Sequence, residues 1–254
     1  PRSDTNVTAM YGGDMLGNVW KFNTTESNTS NWTGTNAAKV SNIATVTDKN
    51  GLAQQITIAP MVSANALTNN AMLYFGTGLL FSTSDIPTTV VNSFYGIEDT
   101  GTKATRSTLL PLVSNSSGVS FPSTMALTDY TKYSHGWFFD LQGSGERLLS
   151  KVIVANGNIS FTTSSITSNA CTSSSQTYNF GVPKPMAVPN SLPSTCILCG
   201  TNVSNPPTPN PTPINPIIIF INGKSYRLSP TGLTQIGTYS VGRQMGTWRE
   251  IVRK

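Results

Sequence analysis

Apolar residues recur along the chain in short runs rich in β-branched and aromatic side chains, cut apart by Gly, Asn and Pro. The clearest runs cover 8–11 with 18–22, 72–75, 94–97, 136–141, 151–154, 158–162, 216–221 and 224–228. None extends into a 3.6-residue period, so the pattern predicts strands and no long helix. Asn156-Gly157 and Asn222-Gly223 each stand between two such runs. That dipeptide accepts the positive φ of a two-residue hairpin turn, so both sites predict hairpins. The Gly-rich stretch 142–145 predicts a further turn of this kind. Hairpins in series without helices belong to a sandwich, a barrel or a propeller. The repeated form, an apolar strand, an Asn/Asp-Gly turn and a strand ending aromatic-x-apolar, is closest to propeller blades.

Residues 11–23, YGGDMLGNVWKFN, pose a sharper question, because a Gly-rich loop can cradle phosphate or metal. A phosphate loop must lead into a helix N-terminus, where amide dipoles converge. Here Gly17-Asn18 leads directly into the alternating Val19-Trp20-Lys21-Phe22. The stretch therefore predicts a β-hairpin with Asp14 accepting amides in the turn.

Residues 205–216 (NPPTPNPTPINP) cannot enter a sheet interior, since proline lacks a ladder donor. The expected organisation is blades with long polar loops over 1–204, a Pro-rich connector over 205–216, and a final hairpin with a C-terminal tail over 217–254 docking on the body.

Composition adds the surface. Of 254 residues only 11% are charged, and Ser, Thr and Asn take their place. Such a polar, weakly ionic surface and seven Asn-x-Ser/Thr sequons agree with an extracellular address. Net charge is +5, yet no Lys/Arg cluster interleaves with aromatics, so no nucleic-acid partner is expected. No apolar stretch reaches the ~18 residues of a membrane span, so no membrane insertion is expected. The chain starts at Pro1 with no visible signal peptide and reads as a processed or excerpted piece of a longer protein.

Candidate chemistry is sparse. Cys171, Cys196 and Cys199 leave an odd thiol if one disulfide forms. A loop disulfide is the main expectation, with free thiols and a zinc site as alternatives; His135, the only histidine, would have to help complete the latter. His135 otherwise reads as a loop residue and Glu146-Arg147 as a turn ion pair. Glu98 and Asp99 are adjacent, so on a strand they face opposite sides and cannot act as one acid–base pair. Neither a triad nor a quinone-enzyme cysteine pair is present, so binding and not enzymatic catalysis is the expectation. Trp32, in the polar stretch TSNWTGTN, is the candidate exposed recognition residue. Trp20, Phe22, Tyr74, Phe75, Trp137 and Phe139 are expected to point inward. Loops at 24–36, 82–91, 115–123 and 164–177 are expected to carry variable polar surface on a rigid scaffold.

With these motifs in order, the chain resembles the PilC/PilY-type proteins of type IV pili. YGGDMLGNVWKFN resembles their blade motif, and QITIAPMV (55–62), MLYFGTGLL (72–80), SFYGIED (93–99), GWFFDL (136–141), GER (145–147) and GRQMGTWRE (242–250) follow in the family's sequence. The resemblance implies an all-β, modified β-propeller of antiparallel hairpin blades, of which this chain holds the later blades. It implies action in pilus assembly, twitching motility and adhesion, at the pilus tip or bacterial cell surface after export through the periplasm. Implied partners are minor pilins and a host receptor or abiotic surface; a secreted carbohydrate- or receptor-binding lectin is the alternative. No cofactor is implied except calcium. Where the family's acidic calcium loop would lie, only Asp4 and Asn6 could supply side-chain ligands, and Thr8 replaces the last carboxylate.

Overall fold

The computed structural model describes residues 7–25, 39–65, 68–86, 90–115, 118–120, 135–155, 158–166, 173–181, 203–204, 217–221, 224–229 and 232–238. In chain order, β1 (Ala9–Gly13), β2 (Asn18–Asn23), β3 (Val40–Thr45), β4 (Met61–Ala64), β5 (Ala71–Gly76) and β6 (Ser93–Glu98) come first. Then follow β7 (Ala104–Thr105), β8 (Leu110–Asn115), β9 (Gly118–Ser120), β10 (Gly136–Asp140), β11 (Glu146–Leu148) and β12 (Ile153–Ala155). The last are β13 (Asn158–Ile166), β14 (Ser173–Gly181), β15 (Val203–Ser204), β16 (Ile217–Ile221), β17 (Lys224–Ser229) and β18 (Gly232–Thr238). Helix among the described residues is limited to two 3₁₀ turns, Thr83–Asp85 and Arg106–Thr108.

The first sheet runs β1-β2-β3-β7, the second β4-β5-β6-β10-β8-β9, the third β11-β13-β14-β15 with β12 on β13, and the fourth β16-β17-β18. The all-β expectation holds. The predicted hairpins form: Ala155 lies opposite Asn158 and Ile221 opposite Lys224, as two-residue connections require. Two pairings depart from purely antiparallel blades, since β3–β7 and β8–β10 are parallel. Each arises where the chain re-enters a sheet from elsewhere in the fold. The Gly-rich stretch after β10 is not a hairpin: β10 pairs with β6 and β8, whereas β11 pairs with β13. It carries the chain from the second sheet to the third.

Residues 164–166 and 173–177, expected in a polar loop, extend β13 and β14, which pair over nine positions. β18 adds a third strand to the final hairpin. The connector 205–216 lies outside the described residues.

Strand periodicity explains how the first three sheets pack. On β5, Met72 and Tyr74 join one core cluster and Leu73 and Phe75 the other. On β10, Trp137 and Phe139 go to the first and Phe138 to the second. The first cluster takes Leu148, Ile159, Phe161 and Tyr178 from the third sheet, and the second takes Val19, Ile43 and Ala44 from the first. The second sheet is thus apolar on both faces and packed between its neighbours. Aromatic rings knit the first cluster, with Phe94 stacked on Phe161 at 4.0 Å and Phe161 on Tyr178 at 4.8 Å. Tyr74, Phe75, Trp137 and Phe139 are buried as expected, whereas Trp20 and Phe22 are only half-buried.

Candidate recognition surface

The opening hairpin is built around Asp14. Its Oδ1 accepts from the amides of Leu16 (2.8 Å) and Asn18 (2.9 Å), and its Oδ2 accepts from Asn18 Nδ2 (3.0 Å) and Trp20 Nε1 (2.8 Å). Burial alone would raise the Asp14 pKa, but these donors more than offset it and hold the carboxyl below its ordinary value. The carboxylate is a turn hub, as the sequence predicts. Gly17 supplies the left-handed residue (φ 77°), and a Cβ there would sit 2.4 Å from the Val46 carbonyl oxygen.

That turn anchors a continuous end of the molecule. The Val46 amide donates to the Gly17 carbonyl, Ile56 to Asp14, Gly78 to Gln55, and Leu148 to Thr77. The stretches after β1, β3 and β5 are therefore tied side by side. They expose Leu16 (69%) and Phe81 (76%), and more partially Met15 and Leu52. Large apolar groups held out on an otherwise Ser/Thr/Asn-rich surface are suited to a partner, provided their backbone is rigid.

Arg147 provides much of that rigidity. Its guanidinium is fully buried and donates to four backbone carbonyls: Gly145 (3.0 Å), Leu79 (2.6 Å), Asp85 (2.9 Å) and Ile86 (3.2 Å). Burial lowers its pKa from the ordinary arginine value, and the nearby Asp85 carboxylate opposes the shift. Asp85 Oδ2 in turn accepts from the amides of Phe81 and Ser82, each at 2.9 Å. Those two amides hold the Asp85 carboxyl below its usual range. Phe81 thus rides on a loop pinned from both sides. Glu146, one residue earlier on the strand, faces the other way. Its Oε1 accepts from Tyr178 (2.9 Å) and Thr163, and its Oε2 from the Gly143 amide (2.7 Å). The Glu146-Arg147 turn ion pair expected from sequence does not form.

A cleft of about 430 Å³ opens beside Thr47, Asp48, Lys49, Arg106, Ser107 and Phe138. Arg106 straddles it, bound to both Asp140 oxygens (2.9 and 2.7 Å) and lying 4.1 Å above the Phe138 ring. Behind it runs a relay: Tyr95 donates to Gln54 (2.5 Å), Gln54 to Ser93 (2.8 Å), and Ser93 to Asp140 (2.6 Å). Nothing in the sequence marked Arg106, Gln54 or Arg147 in these roles, because their partners lie 34 to 68 positions away. A sequence signal exists only for Arg147, in the GER motif.

His135 Nε2 meets Thr102 Oγ1 at 2.7 Å in an exposed loop. Glu98 and Asp99 face opposite sides as expected: Glu98 accepts from Asn65, Thr68 and Asn70, whereas Asp99 accepts from Tyr11 (2.8 Å) and Lys21 (2.6 Å). The metal candidates Asp4 and Asn6, the cysteines Cys171, Cys196 and Cys199, and Trp32 lie outside the described residues. Among the described residues no group of three or more His, Cys, Asp or Glu side chains converges as metal ligands would.

Residues 2–118 match the PilY1 beta-propeller domain family. Two type IV pilus biogenesis factor PilY1 homologues of Xylella fastidiosa (strain Temecula1) are similar. One is 30% identical over 148 residues, 55% of this chain and 11% of its own length; the other is 29% identical over 175 residues, 63% of this chain and 12% of its own length. The chain thus spans about an eighth or less of those relatives. The crystal structure of the Pseudomonas aeruginosa PilY1 C-terminal domain superposes with a TM-score of 0.60 at 18% identity, over 89% of this chain and 56% of that one. The family match over residues 2–118, the two relatives and the shared fold support a PilY1-type C-terminal region.

Proposed function

We propose that the chain is the C-terminal propeller portion of a type IV pilus-associated protein that acts in pilus assembly and in adhesion, at the pilus tip. Its partners are minor pilins on one side and a host receptor or abiotic surface on the other. It works by binding and not by catalysis, outside the cell after passage through the periplasm.

The relatives' description as type IV pilus biogenesis factors supports the assembly role. The observation that carries the binding role is the rigid turn end, where the buried Arg147 fixes the loop from which Phe81 projects. A pre-ordered apolar anchor loses little entropy on association. The polar side chains and carbonyls around Arg106 and Arg147 are engaged in holding loops, a supporting role for a binding scaffold. Calcium is proposed only at Asp4 and Asn6, where two side chains would need several further oxygen ligands.

Immunogold electron microscopy of the source cells, with antibody against this chain, tests the location. Gold at the distal ends of thin filaments is expected. Gold over the cell body with bare filaments would overturn the tip assignment and favour a surface lectin.

A further inference from the structure

We propose that the cleft beside Arg106 is a binding site for a neutral pyranose sugar carried on a glycan. The site does not depend on the exposed apolar residues of the turn end, nor on where on the cell the protein acts. Two segments distant in sequence form its walls, the loop 47–51 after β3 and the 3₁₀ turn Arg106–Thr108. Its chemistry starts at Asp48, which is buried at 2% exposure. Oδ1 of Asp48 accepts from the amides of Asn50 (2.8 Å) and Leu52 (2.9 Å). Oδ2 is buried and has no hydrogen-bond partner among the described residues. A buried acceptor left unpaired carries a desolvation cost, which a donating ligand hydroxyl relieves.

The other lining groups select the class of ligand. Lys49 and Ser107 line the cleft and are exposed, so they bring an ammonium and a hydroxyl beside the Asp48 carboxylate. Donors and an acceptor so close together suit vicinal hydroxyls, each of which both donates and accepts. Leu109, Pro111 and Phe138 add an apolar part to the lining. A pyranose ring has this same division, with C–H groups on its faces and hydroxyls around its edge. Charge excludes a strongly ionic ligand. Arg106 is already paired with Asp140, and Lys49 stands beside Asp48, so cations and anions balance. The cleft's volume of about 430 Å³ lies within the roughly 300–1,000 Å³ of small-molecule sites.

Both walls are set before anything binds. Thr47 and Ala53 form a bridge across the loop, the Asp48 amide donates to the Leu52 carbonyl (2.8 Å), and the Gly51 amide donates to the Asp48 carbonyl (3.1 Å). Gly51 takes the left-handed conformation (φ 81°), and nothing lies within 4 Å of where a Cβ would stand. The loop therefore turns tightly and leaves the space beside it open. Arg106 ties the walls together, donating from one terminal nitrogen to the Thr47 carbonyl (3.1 Å) and from the other to Asp140. Asp140 is held in turn by Ser93 and, through it, by Gln54. A site ordered in advance loses little entropy when the sugar arrives.

Binding of the full-length protein to a glycan array tests it. The array carries neutral and sialylated mammalian termini beside plant and bacterial polysaccharides. Binding to glycans that end in a neutral pyranose is expected, and the preferred set tells whether the sugar comes from a host surface or from a polysaccharide matrix. Two variants then place the sugar. Asp48→Asn puts an amide where the carboxylate stands, and Ser107→Trp fills the cleft from an exposed position. Each is expected to weaken binding at least about tenfold, with the Tm of Ser107→Trp close to wild type. A protein that binds no neutral glycan overturns the proposal. So does binding confined to sialylated termini, which would make the cleft an anion site. Neutral-sugar binding that survives Ser107→Trp also overturns it, because the sugar then sits elsewhere. None of these outcomes alters what gold labelling of the filaments would show.

Discussion

Asp99 joins two sheets through one carboxylate. It sits just past β6 and accepts from Tyr11 of β1 and Lys21 of β2, with its side chain only 5% exposed. Burial by itself would raise its pKa, but the Lys21 and Tyr11 donors and the Lys21 charge outweigh it, and the net shift is downward. Tyr11 is pushed up, first by burial and then by the same contact. A lowered folded pKa means that the unfolded chain binds the proton more readily. The stabilisation is complete above the ordinary Asp value of about 3.9 and is lost as pH falls through the lower folded value. Urea midpoints should therefore drop on going from pH 5 to pH 3. Asp99→Asn should cost roughly 1–3 kcal/mol at pH 7, in line with loss of a buried charge-assisted bond, and its midpoint should vary less with pH. A variant with the wild-type pH slope would show that Asp99 does not carry this dependence.

At the scale of the element, Gly96 on β6 has a steric reason. A Cβ there would lie 2.5 Å from ring atoms of Trp137 on the paired strand β10. Trp137 also packs beside Tyr74, Phe94 and Phe139, so its ring has little room to retreat. Gly96→Ala should thus destabilise by about 1–3 kcal/mol through overpacking, although alanine is the better residue for backbone entropy. Thermal unfolding of this single variant decides it, and a neutral or raised Tm would mean that the ring moves aside. The same pair of strands marks what was legible in the sequence. Runs such as 72–75, 94–97 and 136–141 announce buried strands through apolar and aromatic density alone. β14 (Ser173–Gly181) does not, because its sequence SSSQTYNFG is mostly polar and becomes a strand by pairing with β13 over its whole length. β13 itself buries Ser160, Thr162, Thr163 and Ser164, so its polar side chains sit where the period rule places apolar ones. Glu146, Ser150 and Tyr178 meet that buried polarity, with Ser150 Oγ donating to the Thr162 carbonyl and the Thr162 amide donating to Ser150 Oγ. Such pairings depend on contacts between distant segments, and no local pattern encodes them. The candidate recognition surface was hidden for the same reason: Phe81 looks like any loop aromatic until Arg147, 66 positions later, fixes the backbone around it.

Across the whole molecule, the three stacked sheets either unfold as one unit or peel apart, and Phe161 distinguishes the two. It is the third sheet's deepest link to the second, stacked between Phe94 at 4.0 Å and Tyr178 at 4.8 Å and fully buried. Phe161→Ala removes the ring and leaves a cavity, at a cost of about 3–5 kcal/mol. Where that loss appears depends on how the cores communicate. Trp137 and Phe139 of β10 touch the Phe161 cluster, while Phe138 between them lies in the other core under Arg106. Successive residues of one strand thus belong to both cores, and neither face can loosen without disturbing the ladder that serves the other. The expected outcome is that amide exchange accelerates in β2 and β3 of the first sheet nearly as much as in β13, because global unfolding becomes the shared route. Faster exchange confined to β11, β12 and β13 would instead make the third sheet a separate folding unit, with the first two sheets stable without it.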